Sequence, residues 1–155
     1  MLTNSNSIYI ILTIMLTIIL FCILLILIRK RHRFNDSIDE IEGHEFEYYC
    51  ADLLSKHGFR DVEVTKGSGD YGIDILAEKD GITYAIQCKA YTSPVGVKAV
   101  QEAYAGRDYY DRMVGAVMTN QYFTKSALEA AKKLKILLWD RGYVDEMVAE
   151  LSKKQ

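Results

Sequence analysis

The sequence predicts an α/β fold in which helices flank a mixed sheet, preceded by one transmembrane helix. Three observations support this fold class. An uncharged apolar run covers residues 8–28, segments of helical and strand periodicity alternate after residue 43, and a Lys79-Asp80-Gly81 turn joins two strands. Three consecutive strands followed by a strand–helix–strand crossover predict both antiparallel and parallel pairs in one sheet.

Residues 8–28 (IYIILTIMLTIILFCILLILI) contain no charged residue, Gly or Pro. At about 1.5 Å per residue, a helix of this length spans roughly 30 Å, the thickness of a bilayer core. A buried helix of a soluble domain and a cleavable signal peptide are the alternatives. A helix that is apolar all round fits lipid better, and a signal peptide needs basic residues before the run.

The basic cluster RKRHR at residues 29–33 follows the apolar run. The positive-inside rule therefore predicts a single span, with the N-terminus outside and the remainder in the cytoplasm. This divides the chain into an extracytoplasmic segment 1–7, a transmembrane helix 8–28, a basic juxtamembrane linker 29–42 and one domain over 43–155.

The predicted domain is acidic. The chain carries 19 basic and 21 acidic residues, and four of the basic residues lie in the cluster before the domain. An acidic surface argues against a sequence-blind electrostatic clamp on nucleic acid, although it leaves room for a local basic cleft. Cys50 and Cys88 have no metal-binding spacing and are predicted to be buried hydrophobes.

The first helix of the domain is predicted over GHEFEYYCADLLSKHGF, where Phe46, Cys50 and Leu53 form an apolar stripe and Gly58 ends the helix. The later elements follow from periodicity and turn residues. Strands are predicted at Val62–Thr65, Ile73–Ala77, Ile82–Tyr91, Met113–Thr119 and Lys135–Trp139, and helices at 96–110, after the N-cap Thr124, and at 143–153.

Three polar residues of the central hairpin form the candidate site. Side chains alternate between faces along a strand, so Gln87 and Lys89 share one face, and the hairpin brings Asp74 beside them. A carboxylate and an amide oxygen at one point suit Mg²⁺ or Mn²⁺ as ligands. An ammonium beside them suits metal-assisted phosphodiester hydrolysis. On spacing alone, the three polar residues are explained better by the ordinary alternation of a half-exposed strand than by a site. Asp70 and Gly72 are interpreted as part of a turn.

Four passages favour a functional site over ordinary strand alternation, because they occur in order at the expected separations. They are GHEFEYYCADLLSKHGF, GSGDYGIDILAEKDGITYAIQCKAY, VKAVQEAYAG and GAVMTNQYFTKSALEAA. Over roughly residues 43–142 the chain resembles the Mrr-like restriction endonucleases, a branch of the PD-(D/E)xK nucleases. The resemblance implies a restriction-endonuclease-like αβββαβ core and DNA cleavage that depends on a divalent metal.

The resemblance also implies roles for individual residues. Asp74 would be the metal-binding acid, Gln87 a second ligand in place of the usual acid, and Lys89 the catalytic lysine. Glu47 would correspond to the helix-borne glutamate near the metal, although its position at the edge of the apolar stripe alone favours a solvated residue. Gln101 matches a helix glutamine that contacts DNA or supports the site, and an ordinary exposed residue is an equal alternative.

Three residues after the fourth strand are candidate DNA contacts. Asn120 and Lys125 would touch the DNA backbone, and the helix that begins after Thr124 would present its N-terminal amides to a phosphate. Capping of the helix explains Thr124 without any ligand.

The expected function is a type IV-like, Mg²⁺- or Mn²⁺-dependent restriction endonuclease tethered to the cell membrane and acting on foreign DNA. No separate specificity domain fits in the chain, so target recognition is expected from loops, a homodimer or a partner protein. The alternatives are a catalytically silent nuclease fold that binds DNA or protein at the membrane, and a structural subunit of a membrane complex.

Overall fold

The computed structural model describes residues 9–25, 38, 41, 43–66 and 71–153. The chain divides into two units, Met1–Ile38 and Asp39–Gln155. The first unit contains helix α1, described over 9–25, in which every described side chain is exposed.

The predicted membrane span overlaps α1. Within the described ranges, no helix has both the length and the apolar character needed to cross a membrane. The basic cluster 29–33, which predicted the orientation, lies outside the described residues. The structure therefore does not support the anchor, which stays a prediction.

The second unit contains the predicted α/β elements in the predicted order. The observed ends of the helices and strands differ from the predicted ends by a few residues, as expected where these elements fray. The elements are α2 (Gly43–Lys56), β1 (Arg60–Val64), β2 (Ile75–Lys79), β3 (Ile82–Lys89), α3 (Val97–Tyr109), β4 (Val114–Thr119), α4 (Lys125–Leu134), β5 (Ile136–Trp139) and α5 (Arg141–Lys153).

The five strands form one mixed sheet in the order β1-β2-β3-β4-β5. The first three strands pair antiparallel, and β3, β4 and β5 pair parallel. Strand β3 therefore lies at the centre, where its antiparallel and parallel pairings meet. The predicted mixed sheet is confirmed.

The turn between β2 and β3 explains their register. Asp80 and Gly81 both have positive φ, 55° and 79°, and Lys79 pairs with Ile82 across this two-residue loop. Two positive φ angles match a type I′ turn, for which Asp-Gly is a preferred pair. The same register places Ile75 opposite Ile86, so the residue before β2 lies beside Gln87.

Helices cover both faces of the sheet. On one face of β3, Lys89 pairs with Glu102 of α3, while on the other face the Cys88 thiol hydrogen-bonds to Cys50 of α2. Small buried residues, including Ala99, Ala103 and Ala127, let α3 and α4 pack closely over the parallel strands. The site residues of β3 thus face α3.

Candidate active site

Asp74 lies immediately before β2 and is held by β3. Its backbone N–H donates to Ile86 O at 2.9 Å. Its side-chain Oδ2 accepts a 2.6 Å hydrogen bond from the backbone N–H of Cys88 and a second hydrogen bond from Gln87 Nε2. Hydrogen bonds from both backbone and side chain fix the carboxylate at the centre of the sheet.

Gln87 is the most unusual polar residue of this cluster. It is only 2% exposed, and its Nε2 also donates to Cys88 O at 3.3 Å. Among the described residues, no hydrogen-bond partner is found for its Oε1, which is buried. An unsatisfied buried oxygen costs about 1–3 kcal/mol, and a catalytic role or a bound water or ion are among the explanations for such a group.

Lys89 lies two residues further on, at the end of β3. Its Nζ is 3.1 Å from Glu102 Oε2, and the two side chains are 21% and 28% exposed. Its carbonyl oxygen accepts a 2.6 Å hydrogen bond from Thr119 Oγ1 on β4. The structure therefore brings Asp74 and Gln87 into contact and places Lys89 two residues further along the central strand, on the same face as Gln87, as alternation along the strand predicts.

Gly72 makes room for this arrangement. An added Cβ would lie 2.9 Å from Glu102 Cβ and 3.0 Å from Gln87 Oε1, and the residue has φ +76°. The turn before Asp74 thus packs directly between the strand and α3, which only a glycine allows without displacement.

Glu47 lies on α2, across the sheet from Lys89. Its Oε2 is 2.6 Å from His44 Nδ1, and its side chain is 19% exposed. The pKa of the Cys88 thiol is raised by its hydrogen bond to Cys50, by burial, and by the charges of Cys50, Asp74 and Glu47. Both carboxylates are therefore near Cys88, although on different elements.

The four predicted DNA-contact residues have different surroundings. Gln101 is exposed on α3, and the Lys125 side chain is 92% exposed and lies 3.9 Å from Glu129. Asn120 is 3% exposed, and its Oδ1 accepts a 2.9 Å hydrogen bond from Tyr91 N. Thr124 caps α4 through Ala127 N, which confirms the predicted cap. Contact of these residues with DNA stays a prediction.

Glu102 is the site residue that the sequence reasoning missed. Its neighbour Gln101, the predicted site residue of this helix, is exposed. The available signal was helical spacing: Glu102 lies three residues after Ala99 and four before Gly106, and both are buried. This spacing places Glu102 on the side of α3 that faces the sheet.

The donor types fit a hard divalent metal. Asp74 offers a carboxylate and Gln87 an unpartnered amide oxygen, and Mg²⁺ commonly binds one or two carboxylates while it keeps several waters. Within the described part of the chain, no group of three or more His, Cys, Asp or Glu residues could hold a metal. The fit therefore rests on these two oxygen donors.

Comparison with known proteins identifies a family. The model of the Mrr_cat family, described as restriction endonuclease, matches residues 38–148. No curated protein sequence matches the chain significantly.

Three solved structures have the same fold. A protein of unknown function, AF1548, is 29% identical with a TM-score of 0.54, over 63% of this chain and 57% of its own. The DNA modification-dependent restriction endonuclease AspBHI is 17% identical, with a TM-score of 0.52, over 71% of this chain and 31% of its own. The MspJI restriction endonuclease, in complex with a 27-mer oligonucleotide, is 16% identical, with a TM-score of 0.53, over 76% of this chain and 30% of its own.

The chain thus spans just over half of AF1548 and less than a third of the two restriction endonucleases.

Proposed function

The chain belongs to the Mrr_cat family of restriction endonucleases, and from this premise we propose that it hydrolyses phosphodiester bonds of DNA with Mg²⁺ or Mn²⁺ as cofactor. Asp74, Gln87 and Lys89 form the proposed active site, and Glu47 is a fourth candidate. The proposed biological role is restriction of foreign DNA.

One observation carries the proposal. Asp74 Oδ2 accepts hydrogen bonds from the Gln87 side chain and from Cys88 N, while Gln87 Oε1 is buried and has no hydrogen-bond partner among the described residues. A buried amide oxygen without a partner is destabilising unless a ligand completes its hydrogen bonding or coordination. Its position in a side chain that also contacts the Asp74 carboxylate supports a ligand-binding role.

Each residue has a distinct task in this proposal. Asp74 and the Gln87 amide would hold the metal, which supplies charge stabilisation at a phosphate oxygen and lowers the pKa of a water molecule. Lys89 would bind the phosphate or orient the attacking water with its ammonium. The partly buried position of Lys89 strengthens its electrostatic interaction with the phosphate, because water screens it less.

Modified DNA is the proposed substrate class, which corresponds to a type IV-like enzyme. AspBHI is DNA modification-dependent, and MspJI was solved with an oligonucleotide. Because this chain spans less than a third of either protein, target recognition here would need the surface loops, a second copy or a partner protein.

Membrane tethering is a separate part of the proposal. What supports it is the sequence of residues 8–28, which contains no charge, and the exposure of every described side chain of α1. The orientation would place the nuclease domain in the cytoplasm. Recovery of the full chain in the membrane fraction after alkaline extraction would support this, and recovery in the supernatant would contradict it.

A cleavage assay tests the enzymatic proposal. The full chain, purified in detergent, is incubated with supercoiled plasmid in Mg²⁺, Mn²⁺ or EDTA, on methylated and unmethylated DNA. Lys89→Ala and Lys56→Ala are run in parallel, because Lys56 is a surface lysine of α2 that pairs with Asp52 and is not part of the proposed site. We expect metal-dependent nicking that Lys89→Ala slows to a small residual rate and Lys56→Ala retains.

Two results would contradict this function. DNA binding without nicking in any metal would favour the silent nuclease fold as a binding module. Equal nicking by wild type and Lys89→Ala would indicate a contaminating nuclease or a different active site.

A further inference from the structure

Glu102 connects helix α3 to the lysine of the proposed active site. Glu102 Oε2 lies 3.1 Å from Lys89 Nζ. Glu102 Oε1 lies 3.6 Å from Nζ of Lys98, whose side chain is 88% exposed. We propose that Glu102 is a positioning residue, which holds the Lys89 ammonium in the orientation that phosphodiester cleavage requires. The inference deepens the proposed function and rests on it.

The Lys89–Glu102 pair is mostly buried, with side chains 21% and 28% exposed. Glu102 Oε2 itself is buried, and among the described residues it has no conventional hydrogen bond. Its charge partner is the Lys89 ammonium, 3.1 Å away. A buried carboxylate oxygen constrains its ammonium partner more strongly than a solvated one does, because water screens the pair less.

The stem of Glu102 is held by close packing against the turn before Asp74. Its Cβ and Cγ pack against the backbone of Gly72, so closely that an added Cβ there would lie 2.9 and 3.3 Å from them. The carboxylate is therefore presented from a fixed stem. Lys89 has a flexible side chain with a large rotamer entropy, and a fixed acceptor reduces the number of rotamers that it populates.

The Lys89–Glu102 pair lies at a cleft on the surface of the domain. Lys89, Lys98 and Glu102 line one cleft of about 90 Å³, together with Tyr91, Val95, Gly96 and Ala99. The two lysines contact different oxygens of the same carboxylate. Glu102 therefore gathers two ammonium groups at one side of a cleft that Lys89 of the proposed active site also lines.

A second pair in the chain provides the matched control. Glu129 lies 3.9 Å from Lys125 one helical turn away, and these side chains are 67% and 92% exposed. Such surface pairs are worth only a few tenths of a kcal/mol. Loss of the Glu129 charge is therefore expected to leave cleavage unchanged.

A double-mutant cycle tests the inference with the full chain. The variants are Glu102→Gln, Glu102→Asp, Lys89→Ala, the Lys89→Ala/Glu102→Gln double variant and Glu129→Gln. Misplacement of a catalytic group by about 1 Å can cost 10²-fold in rate. We expect Glu102→Gln to lower kcat by roughly ten- to a hundredfold while KM for DNA changes less than about threefold.

The pattern among the variants decides between roles. Glu102→Asp, which keeps the charge, should recover part of the lost kcat, and Glu102→Gln should cost nothing further in the residual nicking rate of Lys89→Ala, measured at high enzyme concentration. An equal loss in both backgrounds, or a loss of thermal stability that accounts for the lost activity, would indicate a merely structural residue. An increase in kcat would indicate that Glu102 restrains the enzyme, and it would overturn the proposal.

A measurement without substrate or metal separates this inference from the proposed function. In the full chain carrying ¹³Cε-labelled lysine, we expect the Lys89 resonance to be dispersed and rigid. In Glu102→Gln it should shift toward the resonances of exposed lysines, while Glu129→Gln leaves it unchanged. An unaltered Lys89 resonance in Glu102→Gln would overturn the inference, even if the wild type cleaves DNA. Absence of cleavage with an altered resonance would count against the proposed function alone.

Discussion

The backbone N–H of Cys88 donates a 2.6 Å hydrogen bond to Asp74 Oδ2. This contact joins the acid that precedes β2 to the strand that carries Gln87 and Lys89. Because Cys88 is fixed by its strand pairing with Met118 of β4, the position of the carboxylate is determined by the sheet. The geometry of the site is therefore coupled to the stability of the central strand.

Replacement of Asp74 tests this coupling. Asp74→Ala removes the acceptor for Cys88 N, while Gln87 Nε2 keeps its hydrogen bond to Cys88 O, and one unsatisfied buried donor costs about 1–3 kcal/mol. We expect the free energy of unfolding to fall by about 1–3 kcal/mol and plasmid cleavage to be abolished. Urea denaturation and the nicking assay measure the two effects.

Asp52→Ala is the matched control for Asp74→Ala. The Asp52 side chain is 61% exposed and pairs only with Lys56 on the same helix in the salt bridges described. It should change the free energy of unfolding by less than about 0.5 kcal/mol and leave cleavage intact. Full activity of Asp74→Ala would refute the assignment of this residue to the active site.

Gly72→Ala is expected to disturb the site by crowding. Gly72 has φ +76°, and an added Cβ would lie 2.9 Å from Glu102 Cβ and 3.0 Å from Gln87 Oε1. Because Glu102 Cβ belongs to a helix, it cannot move away without a shift of α3. We expect reduced thermal stability and reduced cleavage.

Gly81→Ala separates the crowding from the backbone strain. Gly81 has nearly the same φ, +79°, but nothing lies within 4 Å of an added Cβ. The left-handed conformation lowers the free energy of unfolding of both variants by about 1 kcal/mol. Overpacking should lower that of Gly72→Ala by about a further 1–3 kcal/mol. Equal denaturation midpoints for the two variants would show that the turn before Asp74 tolerates a side chain.

The sequence is sufficient to predict the hairpin and the strand residues of the site. Asp80-Gly81 specifies a two-residue turn, and once its register is set, alternation places Gln87 and Lys89 on one face. Glu102 is different, because its contact depends on where α3 crosses the sheet. That position is determined by the packing of Ala99, Ala103 and Gly106, and the strand pattern contains no information about it.

The close packing of α3 gives a stability prediction of its own. An added Cβ at Gly106 would lie 2.2 Å from Ile73 Cγ1 and 3.0 Å from Tyr71 O. In an isolated helix, Gly to Ala gains about 1 kcal/mol, but overpacking against a backbone oxygen costs typically 1–3 kcal/mol or more. We expect Gly106→Ala to lower the thermal denaturation midpoint, although alanine is a better helix former than glycine.

Gly43→Ala is the control for the helix propensity. Gly43 begins α2, and nothing lies within 4 Å of its added Cβ. The substitution Gly43→Ala should leave the free energy of unfolding unchanged or raise it by up to about 1 kcal/mol. If Gly106→Ala matches this gain, α3 does not pack against the turn as closely as described.

Tyr49 makes the stability of the domain sensitive to alkaline pH. Its pKa is raised from 10.0 to about 12, first by burial and then by the charges of Cys50, Asp145 and Asp52, while Arg141 acts in the opposite direction. Its hydroxyl is buried, with no hydrogen-bond partner among the described residues. The folded state therefore favours the neutral phenol, and this stabilisation is complete below pH 10 and is lost as the pH rises toward 12.

Tyr49→Phe should remove this part of the pH dependence. The phenyl ring keeps the packing with Phe46, whose ring centroid lies 6.2 Å away, and it removes a buried hydroxyl that has no partner. We expect the stability difference between Tyr49→Phe and wild type to stay constant up to about pH 10 and to grow from there toward pH 12, in favour of the variant, in urea denaturation. Tyr48→Phe is the control at an exposed position, because Tyr48 is 58% exposed. Parallel pH profiles for wild type and Tyr49→Phe would mean that the Tyr49 hydroxyl ionises equally well in the folded and unfolded chain.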